Sequence, residues 1–205
     1  MSFFDGLISR LVADIKATAT LEYISVIAQI ASVLYAKRNN VLVYPTGIIG
    51  VIIAAYMYMY ISVPPLYAEA GLHLYYLALS IYGWYNWVQR KNGGTEAFPI
   101  SFCTHRELMN GLLLCVFSWL AIFSLLYFFT DSDTPIADSL VSASAVTGMW
   151  WMAKRKIENW LAWIFSNTVA IPLNYYKGFV LFAIMYLLFL WLAWLGYKSW
   201  KQQVK

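Results

Sequence analysis

Side chains able to do chemistry inside an apolar chain crowd into one stretch, Glu158-Asn159-Trp160-Leu161-Ala162-Trp163-Ile164-Phe165-Ser166-Asn167. On a helix, Asn159, Trp163 and Asn167 fall at i, i+4 and i+8 and share a face, with Trp160 at its edge. Asn167 then lies about 15 Å from the helix start, near the centre of a bilayer. An amide at that depth needs a partner, either another helix or a ligand. Two amides and two indoles on one stripe favour the ligand. Upstream, Tyr75, Tyr76 and Tyr82 are placed to face a cavity. His73 is the one ionisable side chain of its helix away from the ends, and serves as a packing residue or as a ligand contact. Tyr56, Tyr58 and Tyr60 recur with period 2, so they spread around a helix and form no single wall. A cavity lined by Trp, Tyr and amides without a buried anion suits a flat aromatic ligand, including a cationic one held by ring-face attraction.

Other chemistry has no visible seat. There is no Ser-His-Asp set, no H-E-x-x-H and no P-loop, so neither an enzyme nor a bound cofactor or metal is expected. Cys103 and Cys115 make no C-x-x-C pattern. Glu22, Glu69, Glu107, Asp138 and Glu158 all fall near helix ends. With no mid-depth carboxylate to couple protons or sodium, passive transport is favoured.

The elements that must position these residues follow from composition. The chain has 205 residues, of which 61% are hydrophobic, 12% charged and 19% aromatic, and its mean hydropathy is +0.61. Soluble domains carry about twice that share of charge. At roughly 20 residues per spanning helix the length allows about seven spans. Apolar runs punctuated by charge, Pro and Gly place them near 20–36, 42–61, 68–89, 108–129, 137–153, 157–175 and 178–199. Ahead of them Phe3, Phe4, Leu7, Ile8 and Leu11 alternate with Asp5, Arg10, Asp14 and Lys16. That pattern fits a short interfacial helix or a frayed polar leader, and no cleavable signal peptide is evident.

Eleven of the 14 Lys and Arg fall on the side that holds the loops after spans 1, 3 and 5 and the C-terminus. The positive-inside rule makes that side cytoplasmic and puts the N-terminus outside. The net charge of +4 is too diffuse to suggest nucleic acid. Trp84, Trp87, Trp150, Trp151, Trp194 and Trp200 near the cytoplasmic ends are read as interfacial anchors. Two landmarks recur: Ala36-Lys37-Arg38 matches Ala153-Lys154-Arg155, and Gly83-Trp84-Tyr85-Asn86-Trp87 matches Gly196-Tyr197-Lys198-Ser199-Trp200. The expected fold is an all-α integral membrane protein of seven transmembrane helices in a 3+1+3 parallel repeat. Its parts are an N-terminal segment 1–19, a first three-helix unit 20–91, a linker with span 4 over 92–136, and a second unit 137–205. Parallel repeats of this kind hold substrate between them near the midplane.

The stretch Lys154-Arg155-Lys156-Ile157-Glu158-Asn159-Trp160-Leu161-Ala162-Trp163 with Asn167, together with Tyr82-Gly83-Trp84-Tyr85-Asn86-Trp87, closely resembles the PnuC vitamin transporters over about residues 20–203. The resemblance implies a homotrimer in a bacterial inner membrane, with a fold related to the SWEET sugar transporters. It also implies facilitated diffusion of nicotinamide riboside, trapped inside by phosphorylation, while relatives carry thiamine, riboflavin or deoxynucleosides. It places ligand contacts on Asn159, Trp160, Trp163 and Asn167. Where nicotinamide riboside carriers have Gln and Asn, this chain has His73, Ser80 and Gly50. The segment 66–76 is similar to members linked to thiamine, so either vitamin fits. A non-transporting membrane scaffold is the reading from another class.

Overall fold

The computed structural model describes residues 20–61, 67–90 and 94–204, with Ile8 and Val12 besides. The interfacial segment expected over 1–19 otherwise lies outside the described residues. Seven long helices follow: α1 (Thr20–Lys37), α2 (Val43–Tyr56), α3 (Tyr67–Val88), α4 (His105–Phe129), α5 (Pro135–Ala153), α6 (Asn159–Tyr176) and α7 (Val180–Gln203). α2 runs on into a π turn, Met57–Ile61.

Local chemistry explains the ends. Thr104 and Glu107 form a capping box, so α4 starts at His105 rather than three residues later. Pro135 opens α5 at a position where its missing N–H costs nothing. α6 begins only at Asn159 because Arg155 takes a left-handed turn, φ 53°, that no sequence signal announces. Three helical stretches are long and apolar enough to cross a membrane by length and composition: Val43–Ile61, His105–Phe129 and Val180–Gln203. The others fall short by that measure because small polar groups and Trp, Tyr and Asn dilute them, as in Ser142-Ala143-Ser144-Ala145-Val146-Thr147-Gly148 of α5.

Six helices close a ring. α1 packs on α2, α2 on α3, α3 on α5, α5 on α6, α6 on α7, and α7 returns to α1. α4 stands outside this ring against α5, with Gly111 beneath the Trp151 ring. Much of the surface of α4 is bare apolar side chain, such as Phe117 at 67% exposure, which suits lipid rather than water. Charges sort to the two ends: Lys177 pairs with Asp138 at 2.7 Å at one, and Lys156 with Glu107 at 2.8 Å at the other. The second, which also carries Lys37, Arg38, Arg90, Lys154 and Arg155, is the basic end.

Contacts in α1–α3 recur in α5–α7. Trp200 Nε1 donates to Ala36 O at 2.9 Å, and Trp87 Nε1 donates to Met152 O at 3.1 Å. Beside them Ser199 Oγ donates to Lys37 O and Asn86 Nδ2 to Ala153 O. Each set thus ties one helix end to another across the ring, α7 to α1 and α3 to α5. Tyr44 meets Trp87 edge-on at 5.1 Å, and Trp160 meets Trp200 edge-on at 5.5 Å. A Cβ at Gly83 would overlap Tyr44, and one at Gly196 would overlap Trp160. The backbone turns agree: Asn40 N donates to Tyr35 O as Lys156 N does to Trp151 O, and the left-handed residues are Asn39 and Arg155, both φ 53°.

These contacts pair Ala36 with Met152, one residue off the Ala-Lys-Arg alignment that the sequence suggests. They also correct the interfacial reading of three tryptophans. Trp87, Trp151 and Trp200 are 1%, 5% and 0% exposed, whereas Trp84 and Trp194 stay at the surface. Depth along a helix is the same for both groups, and only the face differs.

Candidate binding site in the helix ring

The α6 stripe is buried but not chemically satisfied. Asn159 is wholly buried and gives its Nδ2 to Lys156 O, while its Oδ1 has no hydrogen-bond partner among the described residues. The indole Nε1 atoms of Trp160 and Trp163 are likewise without partners. An unmet buried donor or acceptor costs about 1–3 kcal/mol, so three within the first two turns of one helix need a reason. Trp163 is half-buried against α5, where a Cβ on Gly148 would sit 3.2 Å from its ring. Asn167, two turns in from Asn159, is buried, and Ser166 beside it donates to Val141 O of α5 at 3.0 Å. The fold therefore brings Asn159, Trp160, Trp163 and Asn167 to the inner side of one helix. Trp160 is also packed by the chain itself, between Gly196 and Trp200.

On α3, His73 and Tyr76 are neighbours, with ring centroids 5.7 Å apart, and Tyr58 covers His73 from the π turn at 5.1 Å. Ser80, one turn on, is buried. Tyr82 does not join them. It lies 42% exposed on a stripe with Leu74, Ile81 and Tyr85. Six residues from Tyr76 is about 120° out of phase, whereas Ser80 and Gly83 stay within about 40°. Of the three tyrosines expected to spread, Tyr56 at the end of α2 and Tyr60 in the π turn share the outer face with ring centroids 5.4 Å apart, and only Tyr58 turns away, to His73. Gly50 sits against Ser25, whose hydroxyl donates to its carbonyl at 2.9 Å.

A cavity of about 370 Å³ opens elsewhere, at the basic end, between the α1–α2 turn, the end of α3 and the α5–α6 turn. It is lined in part by Arg38, Asn39, Arg90, Glu96 and Arg155. Sequence reasoning counts Arg38, Arg90 and Arg155 as loop charge and passes over Asn39 and Glu96. Arg155 lies flat over Trp87 at 4.3 Å, pairs with Glu96 and donates to Phe98 O at 2.9 Å. Burial pushes its pKa below the ordinary value, and Glu96 opposes that shift. The α3–α4 linker is stitched on here, with Ser101 N donating to Arg155 O and Ile157 N donating to Ser101 O. Glu158 accepts from Cys103 N at 2.9 Å. Burial, and then the Glu158 carboxylate, push the Cys103 thiol up to about 12 and keep it protonated. Tyr44, Gly83 and Gly196 also escape the sequence reading, although both glycines lie inside the recurring landmark.

Comparison with known proteins places this geometry. The family model described as nicotinamide mononucleotide transporter matches residues 19–202. Nicotinamide riboside transporter PnuC of Escherichia coli strain K12 is 22% identical over 204 residues, covering 88% of this chain and 84% of that protein. Riboflavin/roseoflavin transporter RibM of Streptomyces davaonensis is 24% identical over 138 residues, covering 64% of this chain and 63% of RibM, less than two thirds of its length. The crystal structure of the vitamin B3 transporter PnuC shares the fold, with a TM-score of 0.71 at 21% identity, over 100% of this chain and 93% of that one. This multi-pass membrane chain belongs to the nicotinamide mononucleotide transporter family, that of the PnuC transporters.

Proposed function

We propose that the protein carries a water-soluble vitamin by facilitated diffusion, with nicotinamide riboside as first candidate. One observation carries the reading: the buried Asn159 Oδ1, Trp160 Nε1 and Trp163 Nε1 lack partners along one stripe. A flat ring with hydroxyls supplies what they lack, stacking on Trp163 and bonding Asn159 and Asn167. The names of the relatives support the class. By their names the Escherichia coli protein carries nicotinamide riboside and RibM carries riboflavin or roseoflavin, flat rings bearing a ribose in the first case and an open ribityl chain in the second. Riboflavin is therefore the second reading, and thiamine, which also pairs an aromatic cation with a hydroxyl, is the third.

In this reading α1–α3 and α5–α7 form a 3+1+3 parallel repeat of the SWEET type. The matched tryptophan, glycine and turn contacts support it. The units 20–91 and 137–205 rock about the central site, with 92–136 as linker. The basic end faces the cytoplasm by the positive-inside rule. His73 and Tyr76 line the route from the other side. Phosphorylation inside keeps the cargo from returning, and the bare face of α4 meets lipid or the other protomers of a trimer.

The test is calorimetric titration of purified protein with nicotinamide riboside, riboflavin and thiamine, repeated on Trp163→Ala. Loss of a desolvated ring-face contact costs about 2 kcal/mol, so that variant should bind its vitamin about thirty-fold more weakly with its melting temperature little changed. Unchanged binding removes Trp163 from the site. If no vitamin binds the wild type, the scaffold reading takes its place.

A further inference from the structure

The cavity at the basic end is far from the part of α6 that holds Trp163 and Asn167, and the transport reading makes no use of it. Three guanidinium groups line it, from Arg38, Arg90 and Arg155, against one carboxylate, Glu96. Arg155 is only 2% exposed. Its Nη atoms are engaged by Glu96, Phe98 O and Trp87 O, yet its Nε has no partner among the described residues. Asn39, its counterpart in the other turn, also lines the cavity, and its Oδ1 is buried without a partner. The site therefore has surplus positive charge, one fixed guanidinium N–H seeking an acceptor and one amide oxygen seeking a donor.

We propose that this cavity binds a small phosphate-type anion. A phosphate group offers acceptor oxygens to the guanidinium edge, a geometry that arginine matches better than lysine. Its protonated oxygen, or a hydroxyl of its ester, donates to Asn39 Oδ1. Chloride supplies neither the donor nor the fork-shaped acceptor. The volume, about 370 Å³, leaves room for a small ester beyond the phosphate itself. Arg38 and Asn39 belong to the first turn, Arg155 to the second and Glu96 to the linker. A bound anion therefore bridges the two turns and holds that end of the ring shut, while the Glu96 carboxylate, which repels it, stays on Arg155 and Arg90. The anion comes either from solution, as a phosphate monoester, or from a lipid headgroup.

The test uses the full chain in nanodiscs of phosphatidylcholine, titrated with glycerol 3-phosphate while its melting temperature is followed, with sodium chloride at matched ionic strength as control. The titration is repeated on R38Q/R90Q, which alters two exposed side chains and spares the buried Arg155. The expected result is a saturable rise in melting temperature that needs at least five-fold more ester in the variant. If the ester does nothing but phosphatidylglycerol nanodiscs raise the melting temperature of wild type and not of R38Q/R90Q, the anion is a lipid headgroup and the site stands. Equal responses to ester and chloride, or equal responses of wild type and variant in both arms, overturn the proposal. Vitamin binding by R38Q/R90Q, measured by calorimetry, separates failure here from failure of the transport reading.

Discussion

Where α6 carries Asn159, Trp163 and Asn167, the positions of α2 that the proposed repeat matches to them carry Val43, Gly47 and Val51. The frame around them is the same. Trp163 lies over Gly148 in one stretch, and Gly47 lies beside Ser32 in the other, so the same crossing takes a ring on glycine in one place and two small residues in the other. Ser166 donates to Val141 O, and Ser25 donates to Gly50 O, which is one contact with donor and acceptor exchanged. The difference teaches that scaffold and recognition are separable. Both stretches keep the brace of Trp, Gly and aromatic ring, while the polar and aromatic groups of the proposed site sit on α6 and not at the corresponding positions of α2. A frame with two equivalent stripes would offer an asymmetric cargo two opposed poses, and one polar stripe offers a single pose.

The comparison breaks if matched substitutions in the two units behave differently. The largest effect belongs to Trp87→Ala and Trp200→Ala. Truncating a buried Trp costs about 3–5 kcal/mol. Both variants should lose most folded protein in size-exclusion chromatography of detergent extracts, and to a similar degree. Survival of one alone would make the brace one-sided. Smaller, at about 1–3 kcal/mol from overpacking, is the effect of Gly83→Ala and Gly196→Ala, which press a methyl into Tyr44 and Trp160. Thermal denaturation should lower both melting temperatures by a similar amount. A silent Gly196→Ala would mean that Trp160 is free to move and that the packing around it is loose. Smallest is the pair Ser25→Ala and Ser166→Ala. Each removes one interhelical hydrogen bond worth about 0.6 kcal/mol between membrane helices, a barely resolved shift. A large loss of vitamin binding in Ser166→Ala alone would sharpen the comparison, because it would extend the recognition stripe to α5.

The seven helices are legible in the sequence because apolar runs, Pro135 and the charged turns bound them within a few residues. The α6 stripe is legible too, since Asn159, Trp163 and Asn167 recur at helical spacing. The matching of the two units is legible only roughly. A three-letter identity, Ala-Lys-Arg, outweighs by eye a turn in which Asn39 and Arg155 share a left-handed backbone, and Arg is no turn residue. Trp87, Trp151 and Trp200 mislead because a tryptophan near a helix end reads as interfacial whichever face it takes. Tyr82 misleads in the opposite sense, since it reads as cavity-facing but its position on α3 turns it to the outer face. The Arg155–Glu96 pair joins residues distant in the chain, and composition carries no trace of it.

Ring closure also sets a timetable for synthesis. The carbonyl of Ala36 receives its indole partner from Trp200, 164 residues later. Until α7 enters the membrane, the end of α1 and the seat prepared for Trp200 stay open. The earlier helices therefore wait as an incomplete arc rather than fold as a finished unit. Contacts of such long range form slowly and leave apolar and polar edges exposed meanwhile. A ribosome stalled before α7 would leave that arc in the bilayer with its lock unset, a form that membrane quality control can tell from the closed ring.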